Sequence, residues 1–458
     1  MHTSSSASNE LLQPIHLRAE VSRFGISRFV LFWIPVLVIA VAVFDNHGNL
    51  DHARNAIGLK RDYIDEVEAS TSSRRSKQLT FISYGIIGVI LLIRKKDAGR
   101  LQNSHASITV PAVALLVYLF CSMFWSDEPA ATIKRSILAA CIAVGSWGLG
   151  RTWTLNDICR AIIFVSGMLL LAGIAAEIKF GTFMSLSESD YRFSGILHPA
   201  RTAFSCSLMA IAAFTLYRQE KKVLYVLIAI IAIAFTIATK ARTGTGALVI
   251  ASVWLWWRQF STRGILLTIW ASLLLLSCLL IHRGISGGGL NLDKLTRMGR
   301  EQELADPSTM TGRLPIWEEA LREFSGRPVL GFGYGAFWNT HRIRTFERHN
   351  GWAFTHAHSA YIESLLNLGA VGFGIGVVVI GATLNRCRKL KGSNSLAASM
   401  VTALLLFGMV SGVAESAFVD DGYELIVALI GIAYIAFRDL ESDENRPENN
   451  LRLRGGFA

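Results

Sequence analysis

Four short segments of this chain, each beside or between apolar runs or in a long loop, carry basic or imidazole side chains that a purely structural loop would not need. They read YRFSGILHPAR from Tyr191, KARTG from Lys240, TGR ending at Arg313, and THAHS from Thr355. Arginine presents a fixed fork of donors that matches phosphate oxygens, and histidine can accept a proton near neutral pH. These residue types suit the binding of an anion beside a proton acceptor.

Arg242, in the second segment, is the hardest of these residues to explain as structure. Its turn lies between two apolar runs, and an arginine close to a bilayer is costly unless it is paired or hydrated. The residues alone leave two interpretations open, an arginine that reaches the membrane interface and an arginine that clamps an anion. Arg313 also has two interpretations, a solvated residue at the start of a loop helix and an arginine that clamps an anion.

His356 and His358 allow three interpretations, a metal site, a general base or a simple interface histidine. On a helix the two rings of an HxH pair are expected to point to different faces. No carboxylate or cysteine stands at the usual zinc spacing, so no metal is expected. A histidine that takes the proton of a hydroxyl is the functional alternative.

The apolar runs that position these segments predict an all-α, polytopic integral membrane protein. Of the 458 residues, 52% are apolar and 17% are charged, whereas soluble chains carry about a quarter charged residues. The runs predict about twelve transmembrane helices, with flanking Trp, Tyr, Lys and Arg extending the shorter ones into the interface. They cover residues 29–44, 79–93, 109–125, 136–150, 161–179, 202–217, 223–239, 243–257, 264–281, 369–384, 395–414 and 423–437.

Lys and Arg cluster in alternate loops, which predicts the orientation of the spans. Loops such as 94–100, 218–222 and 386–391 are rich in these residues and are therefore expected in the cytoplasm, together with both termini. The layout is a tail at 1–28, nine spans within 29–281, a large extracytoplasmic loop at 282–358, three spans within 359–437 and a tail at 438–458. The loop 45–78 is an exception, because it lies outside by this parity yet contains Arg74, Arg75 and Lys77.

The loop 282–358 is the longest between predicted spans, and we expect it to carry short helices. Pro315 suits a first helical turn, and Gly326 with Pro328 ends the helix. Its predicted apolar stripe consists of Trp317, Ala320, Leu321 and Phe324. The following GFGYGAF is not a nucleotide loop, because no strand–helix context or Lys-Ser/Thr pair accompanies it, and it predicts a tightly packed turn. Residues 359–368 are expected to form the first turns of the next span.

The remaining composition argues against other classes of function. The net charge is +11, but the basic residues lie in short loops and form no aromatic-interleaved groove, so nucleic acid is not an expected partner. The six cysteines lie within apolar runs or at their ends and form no CxxC pair, which is typical of small apolar core residues.

At these segments the sequence resembles the bacterial O-antigen ligase and polymerase superfamily of glycan assembly. The likeness is carried by WSDEPAATIKR at 125–135, KARTG at 240–244, GRLPIWEEAL at 312–321, PVLGFGYGAF at 328–337 and HAHSAYIESLLNLGAVGFG at 356–374. The overall pattern looks closest to exopolysaccharide polymerases of the rhizobial type. The order, spacing and placement of the motifs on one membrane face make the combination more specific than any single motif.

The resemblance implies a metal-independent glycosyltransferase of the bacterial inner membrane that needs no cofactor. Its donor is an undecaprenyl-diphosphate-linked oligosaccharide, and direct displacement would invert the anomeric centre. Arg242 and Arg313 match the arginines that contact the diphosphate, and His358 matches the catalytic histidine, although Ser359 stands where the family often has Asn. Further substrate contacts are expected from Arg192, Arg201, His356, Tyr361 and Glu363.

Three other functions remain open on the sequence. A ligase would use the same donor and transfer the finished glycan to lipid A-core, and acceptor choice is not legible in the residues. Twelve spans also suit a transporter of lipid-linked glycans, but no internal repeat is visible and few ionisable residues lie in the middle of a span. A membrane scaffold is the third. The expected partners are the glycan acceptor, membrane lipid, and a flippase and chain-length regulator.

Overall fold

The computed structural model describes residues 28–54, 75–94, 104–183, 191–259, 313–350, 355–416, 418–419 and 422–438, which are helical and contain no strand. The helices are α1 (Arg28–His47), α2 (Asp51–Arg54), α3 (Arg75–Ile93), α4 (Ala106–Cys121), α5 (Pro129–Thr152), α6 (Leu155–Phe180), α7 (Pro199–Glu220), α8 (Val223–Ala238), α9 (Arg242–Gln259), α10 (Arg313–Phe324), α11 (Thr340–Asn350), α12 (Ala360–Lys389), α13 (Ser395–Ser411) and α14 (Tyr423–Ala436).

The prediction of a helical membrane protein is confirmed. Within the described ranges five helices, α3, α4, α6, α7 and α12, are long and apolar enough to cross a membrane. Shorter apolar helices are α1, α8, α13 and α14. Each predicted span coincides with a helix except 264–281, which lies outside the described residues, as do 282–312 and most of both tails. The count of twelve and the orientation stay predictions.

Helix α7 lies at the centre of the bundle. Along most of its length it is buried by α6, α8, α9 and α13, and Phe204 is fully buried against the ring of Phe407. Gly244 lets α9 approach α7, because a Cβ there would lie 2.9 Å from the Cβ of Ala203. Small residues at such crossings let helices pack closely where lipid offers no hydrophobic driving force.

The helix predicted in the loop is present as α10, and one residue of its predicted apolar stripe is wrong. Ile316 and Ala320 are fully buried, and Trp317 and Phe324 are partly buried, whereas Leu321 is 45% exposed. The buried residues recur at i and i+4, which turns Leu321 away from the packed face. This face packs on Phe332, Phe337 and Leu366, so α10 covers one end of the bundle.

The glycine turn, residues 328–337, packs against a break in α12. At Gly369 the backbone takes φ 65° and ψ −173°, which interrupts the helix. The carbonyls of Leu366 and Asn367 accept hydrogen bonds from the N–H groups of Phe332 and Gly333, at 2.8 and 3.1 Å. In return the N–H of Ala370 donates to Pro328 at 2.8 Å. The break is therefore satisfied by the turn, as the predicted tight packing requires.

Candidate active site

A cavity of about 1580 Å³ begins at the end of the bundle where the charged segments meet, and its lining extends through the bundle to Leu92 and Phe437. Its lining includes every residue that the sequence singled out: Arg192, Arg201, Arg242, Arg313, His356, His358, Tyr361 and Glu363. The outermost of these residues, Arg192 and Glu363, are 171 positions apart in the sequence, so the fold brings together what sequence spacing could not. Deeper in the cavity the walls are apolar and come from α4, α5, α12 and α14.

His358 is held in a conformation that few non-glycine residues adopt. Its φ is 50°, and the helix α12 begins only two residues later, at Ala360. Left-handed backbone at a non-glycine residue costs of order 1–3 kcal/mol and persists where surrounding contacts fix it. The next residues supply such contacts, since the N–H of Ala360 donates to the carbonyls of Gly412 and Glu415 at 2.8 and 3.1 Å.

The residue before His358 is fixed on both sides of its backbone. The N–H of Ala357 donates to the carboxylate of Glu363, and its carbonyl accepts a hydrogen bond from Trp317 Nε1 at 2.8 Å. Glu363 is buried and also accepts from Trp338 Nε1 at 2.8 Å. Glu363 thus orients the histidine segment, a role that the sequence did not indicate.

The imidazole of His358 is suited to accept a proton. Burial lowers its pKa well below the usual value of 6.5, and nearby His356, Arg313 and His198 lower the pKa further. The ring is therefore neutral at neutral pH. Its Nδ1 is buried without a hydrogen-bond partner among the described residues, which leaves that nitrogen available to a ligand in the cavity.

The expectation that the two histidine rings point apart is wrong. The ring centroids of His356 and His358 are 4.0 Å apart. The expectation assumed helical geometry, but both residues precede α12, and the positive φ of His358 turns its side chain back towards His356. Among the described residues, no group of three or more His, Cys, Asp or Glu is arranged to hold a metal ion.

Arg313, the first residue of α10, is paired with a carboxylate that was not predicted from the sequence. Its Nη2 lies 2.8 Å from Glu415 Oε1, and both side chains are largely buried. Glu415 could have been noticed as an acidic residue between two predicted spans, where charge is costly. Arg201 has a similar partner, because its Nη1 lies 3.5 Å from Glu424 Oε2.

Arg242 begins α9 directly after a tight turn in which Lys240 has φ 51°. That turn is joined to the segment 191–197, since the N–H of Phe193 donates to the carbonyl of Ala238 at 3.0 Å. Arg192 Nε donates to the carbonyl of Thr239 at 3.3 Å. The two charged segments therefore form one wall of the cavity.

A buried carboxylate in α6 holds the segment 191–197 in place. Glu177 is 0% exposed and accepts hydrogen bonds from Tyr191 Oη at 2.6 Å and from the N–H groups of Ser194 and Gly195 at 2.9 and 2.8 Å. An ionisable residue within a predicted span was the available signal. Glu177 positions the segment that carries Arg192 and His198.

The same end of the bundle contains the segment 122–135. Trp125 Nε1 donates to the carbonyl of Leu330 at 3.0 Å, and Asp127 is ion-paired with both Arg327 and Arg342, each at 2.7 Å. These contacts tie the start of α5 to the glycine turn and α11. The motif at 125–135 and the motifs at 312–337 and 356–374 are thus neighbours.

A family model matches part of this chain. Residues 227–377 match the model described as O-antigen ligase, which is about a third of the chain. The matched region runs from α8 into α12 and contains Arg242, Arg313, His356, His358, Tyr361 and Glu363, whereas Arg192 and Arg201 precede it. No curated protein matches the chain.

Proposed function

We propose that this protein is a membrane glycosyltransferase of the O-antigen ligase and polymerase superfamily that polymerises undecaprenyl-diphosphate-linked repeat units into exopolysaccharide at the periplasmic face of the inner membrane. The observation that carries the proposal is the convergence of Arg242, Arg313 and a neutral, buried His358 on one cavity with an apolar floor. The family match over the same residues supports it.

The donor places its diphosphate against Arg242 and Arg313 and its lipid tail along the apolar walls. When the bond between the anomeric carbon and the diphosphate oxygen breaks, its electron pair stays on that oxygen. The two guanidinium groups stabilise the growing negative charge, and fixed donors of this kind act without reorganisation at the moment of reaction. Glu415 orients Arg313 for this role.

The acceptor hydroxyl attacks the anomeric carbon from the opposite side, which inverts the centre. Its proton passes to the imidazole of His358 as the new glycosidic bond forms. A positioned general base of this type contributes about 10²–10⁴-fold. The neutral state of the ring and the rigid mounting of Ala357 favour His358 as that base.

Transfer to lipid A-core is the second candidate, because the matching family model is described as O-antigen ligase. Polymerase and ligase share the donor site and the base and differ in the acceptor. The purified protein is therefore offered lipid-linked repeat units, alone or with lipid A-core, and the product size is followed on a gel. A ladder from repeat units alone is the expected result, and glycan transferred only to lipid A-core would establish the ligase instead.

Divalent metal is varied in the same assay. Product formation should continue in EDTA, because the arginines supply the positive charge that a metal would provide. Activity that disappears in EDTA and returns with a divalent ion would contradict this mechanism.

A further inference from the structure

Two cations at the mouth of the cavity have no role in the donor site. Lys134 and Arg135 lie in the second turn of α5, and both are exposed and line the cavity. Neither has an ion-pair partner within the described part of the chain. Asp127, the aspartate of the same motif, already pairs with Arg327 and Arg342.

The glycine turn is shaped to let Arg135 lie across it. A Cβ at Gly335 would be 2.3 Å from Cδ of Arg135 and 2.6 Å from its Nη1. The φ of Gly335 is 68°, which a side chain would also disfavour. A side chain at this position would meet the Arg135 side chain and would strain the backbone at this positive φ, so glycine favours the path of Arg135 along the turn.

The cationic residues that line the cavity differ in whether a carboxylate balances their charge. Arg313 and Arg201 have carboxylate partners, Glu415 and Glu424. Lys134 and Arg135 add two positive charges, and neither is paired with a carboxylate among the residues that the structure describes. Apolar residues of α4, α5 and α12 line the cavity with them, for example Leu116, Leu138 and Val377. A cationic rim over an apolar wall suits a lipid with an anionic headgroup.

We infer that Lys134 and Arg135 form a second anion subsite, which binds a phosphate group of the acceptor while Arg242 and Arg313 bind the diphosphate of the donor. This inference rests on the proposed function. The phosphate can belong to the diphosphate of a second lipid-linked glycan or to a phosphorylated core lipid. Both sources present the same oxygens to a guanidinium and an ammonium group.

The test measures transfer from one lipid-linked donor to three acceptors: the repeat unit on undecaprenyl diphosphate, a phosphorylated core lipid, and the repeat unit on an uncharged octyl glycoside. The double variant Lys134→Gln, Arg135→Gln should raise the KM for the phosphorylated acceptor about tenfold or more, because a hydrogen bond to a charged group contributes about 1.5–3 kcal/mol. The KM for the donor and the kinetics with the octyl glycoside should not change. The phosphorylated acceptor whose KM rises in the double variant identifies the source of the phosphate group.

Two further variants separate the subsite from general effects. Lys389→Gln with Lys391→Gln removes two exposed charges near the end of α12, outside the cavity lining, and should not change the KM for any acceptor. Lys134→Arg with Arg135→Lys keeps the charge and should retain most of the preference for phosphorylated acceptors. An equal loss with charged and neutral acceptors, or no loss with either, would overturn the subsite. If the wild-type protein transfers glycan to none of the three acceptors, the proposed function itself fails.

Discussion

Arginines lie at both ends of this bundle, but their partners differ. At the end where α3, α5 and α12 end, the less exposed arginines donate to backbone carbonyls: Arg151 to Leu92, Arg386 to Ile435 and Arg438, and Arg438 to Trp153. The half-exposed Arg160 at this end pairs instead with Glu220 at 2.6 Å, away from the cavity lining. At the cavity end Arg313 and Arg201 face carboxylates, and Arg242 lines the cavity. Arg192 is intermediate, since it lines the cavity and also donates to Thr239.

The difference indicates which arginines hold the fold and which remain for a ligand. A guanidinium that satisfies carbonyls at helix ends completes hydrogen bonds that the helix leaves open. A guanidinium held by a carboxylate beside a cavity keeps other donors directed at that space. The charge count of a loop does not distinguish the two, whereas the partner atoms do.

The largest effect is expected from His358→Ala at the cavity end. Loss of the base should lower glycan transfer by about 10²–10⁴-fold, while the lipid-linked donor still binds, because the imidazole acts on the acceptor hydroxyl. The matched control is His105→Ala, an exposed histidine next to the start of α4 at the other end. A fully active His358→Ala, measured by product size on a gel, would move the base elsewhere.

Substitution of Arg242 or Arg313 should give the next largest effect. Arg242→Ala and Arg313→Ala should each lower transfer by about 10²–10³-fold, as removal of a donor to a developing charge does. Lys should rescue poorly at either position, because a point charge does not reproduce the guanidinium fork. Activity is compared at equal amounts of protein with a folded elution profile. Full polymer output from either alanine variant would exclude the clamp.

Arg386→Ala sharpens the comparison from the opposite end. This buried arginine donates to two carbonyls, so its loss leaves both unsatisfied and should lower stability by about 3 kcal/mol. Activity per folded molecule should stay near that of the wild-type protein. A thermal unfolding scan and a transfer assay together test this expectation. A selective loss of activity at unchanged stability would show that the two ends do not differ in the way inferred here.

Much of the fold could be predicted because lipid imposes a simple rule. Backbone groups in a bilayer must be satisfied within the segment, so apolar runs become helices, and the predicted spans within the described ranges do coincide with helices. The start of the predicted tenth span is confirmed, since residues 359–368 were expected to form its first turns and α12 begins at Ala360. Its break at Gly369 was not predicted, because it depends on the glycine turn, distant in sequence, which satisfies the interrupted backbone.

The site was predictable where its residues are charged and near the predicted interface. Arg242, Arg313 and His358 were visible for that reason, and the cavity brings them together. Glu177, Glu415 and the orienting role of Glu363 were not foreseen, because each depends on a tertiary partner rather than on spacing. The contact of the two histidines was misjudged because helical geometry was assumed one turn too early.

The smallest expected effect concerns the contact of His356 with His358 and the pH dependence of glycan transfer. A base acts when it is deprotonated, so the rate is constant above its pKa and falls as the pH drops through that value. Burial holds the pKa of His358 well below 6.5, and the acid limb of the wild-type rate should therefore lie below pH 6.5. His356 lowers the pKa of His358 further, so His356→Gln should move the limb to higher pH. The control is His349→Gln, whose histidine contacts Glu319 at 2.7 Å and does not line the cavity. An unchanged limb in His356→Gln would mean that the two rings do not influence each other, and a shift to lower pH would contradict the arrangement of charges around His358.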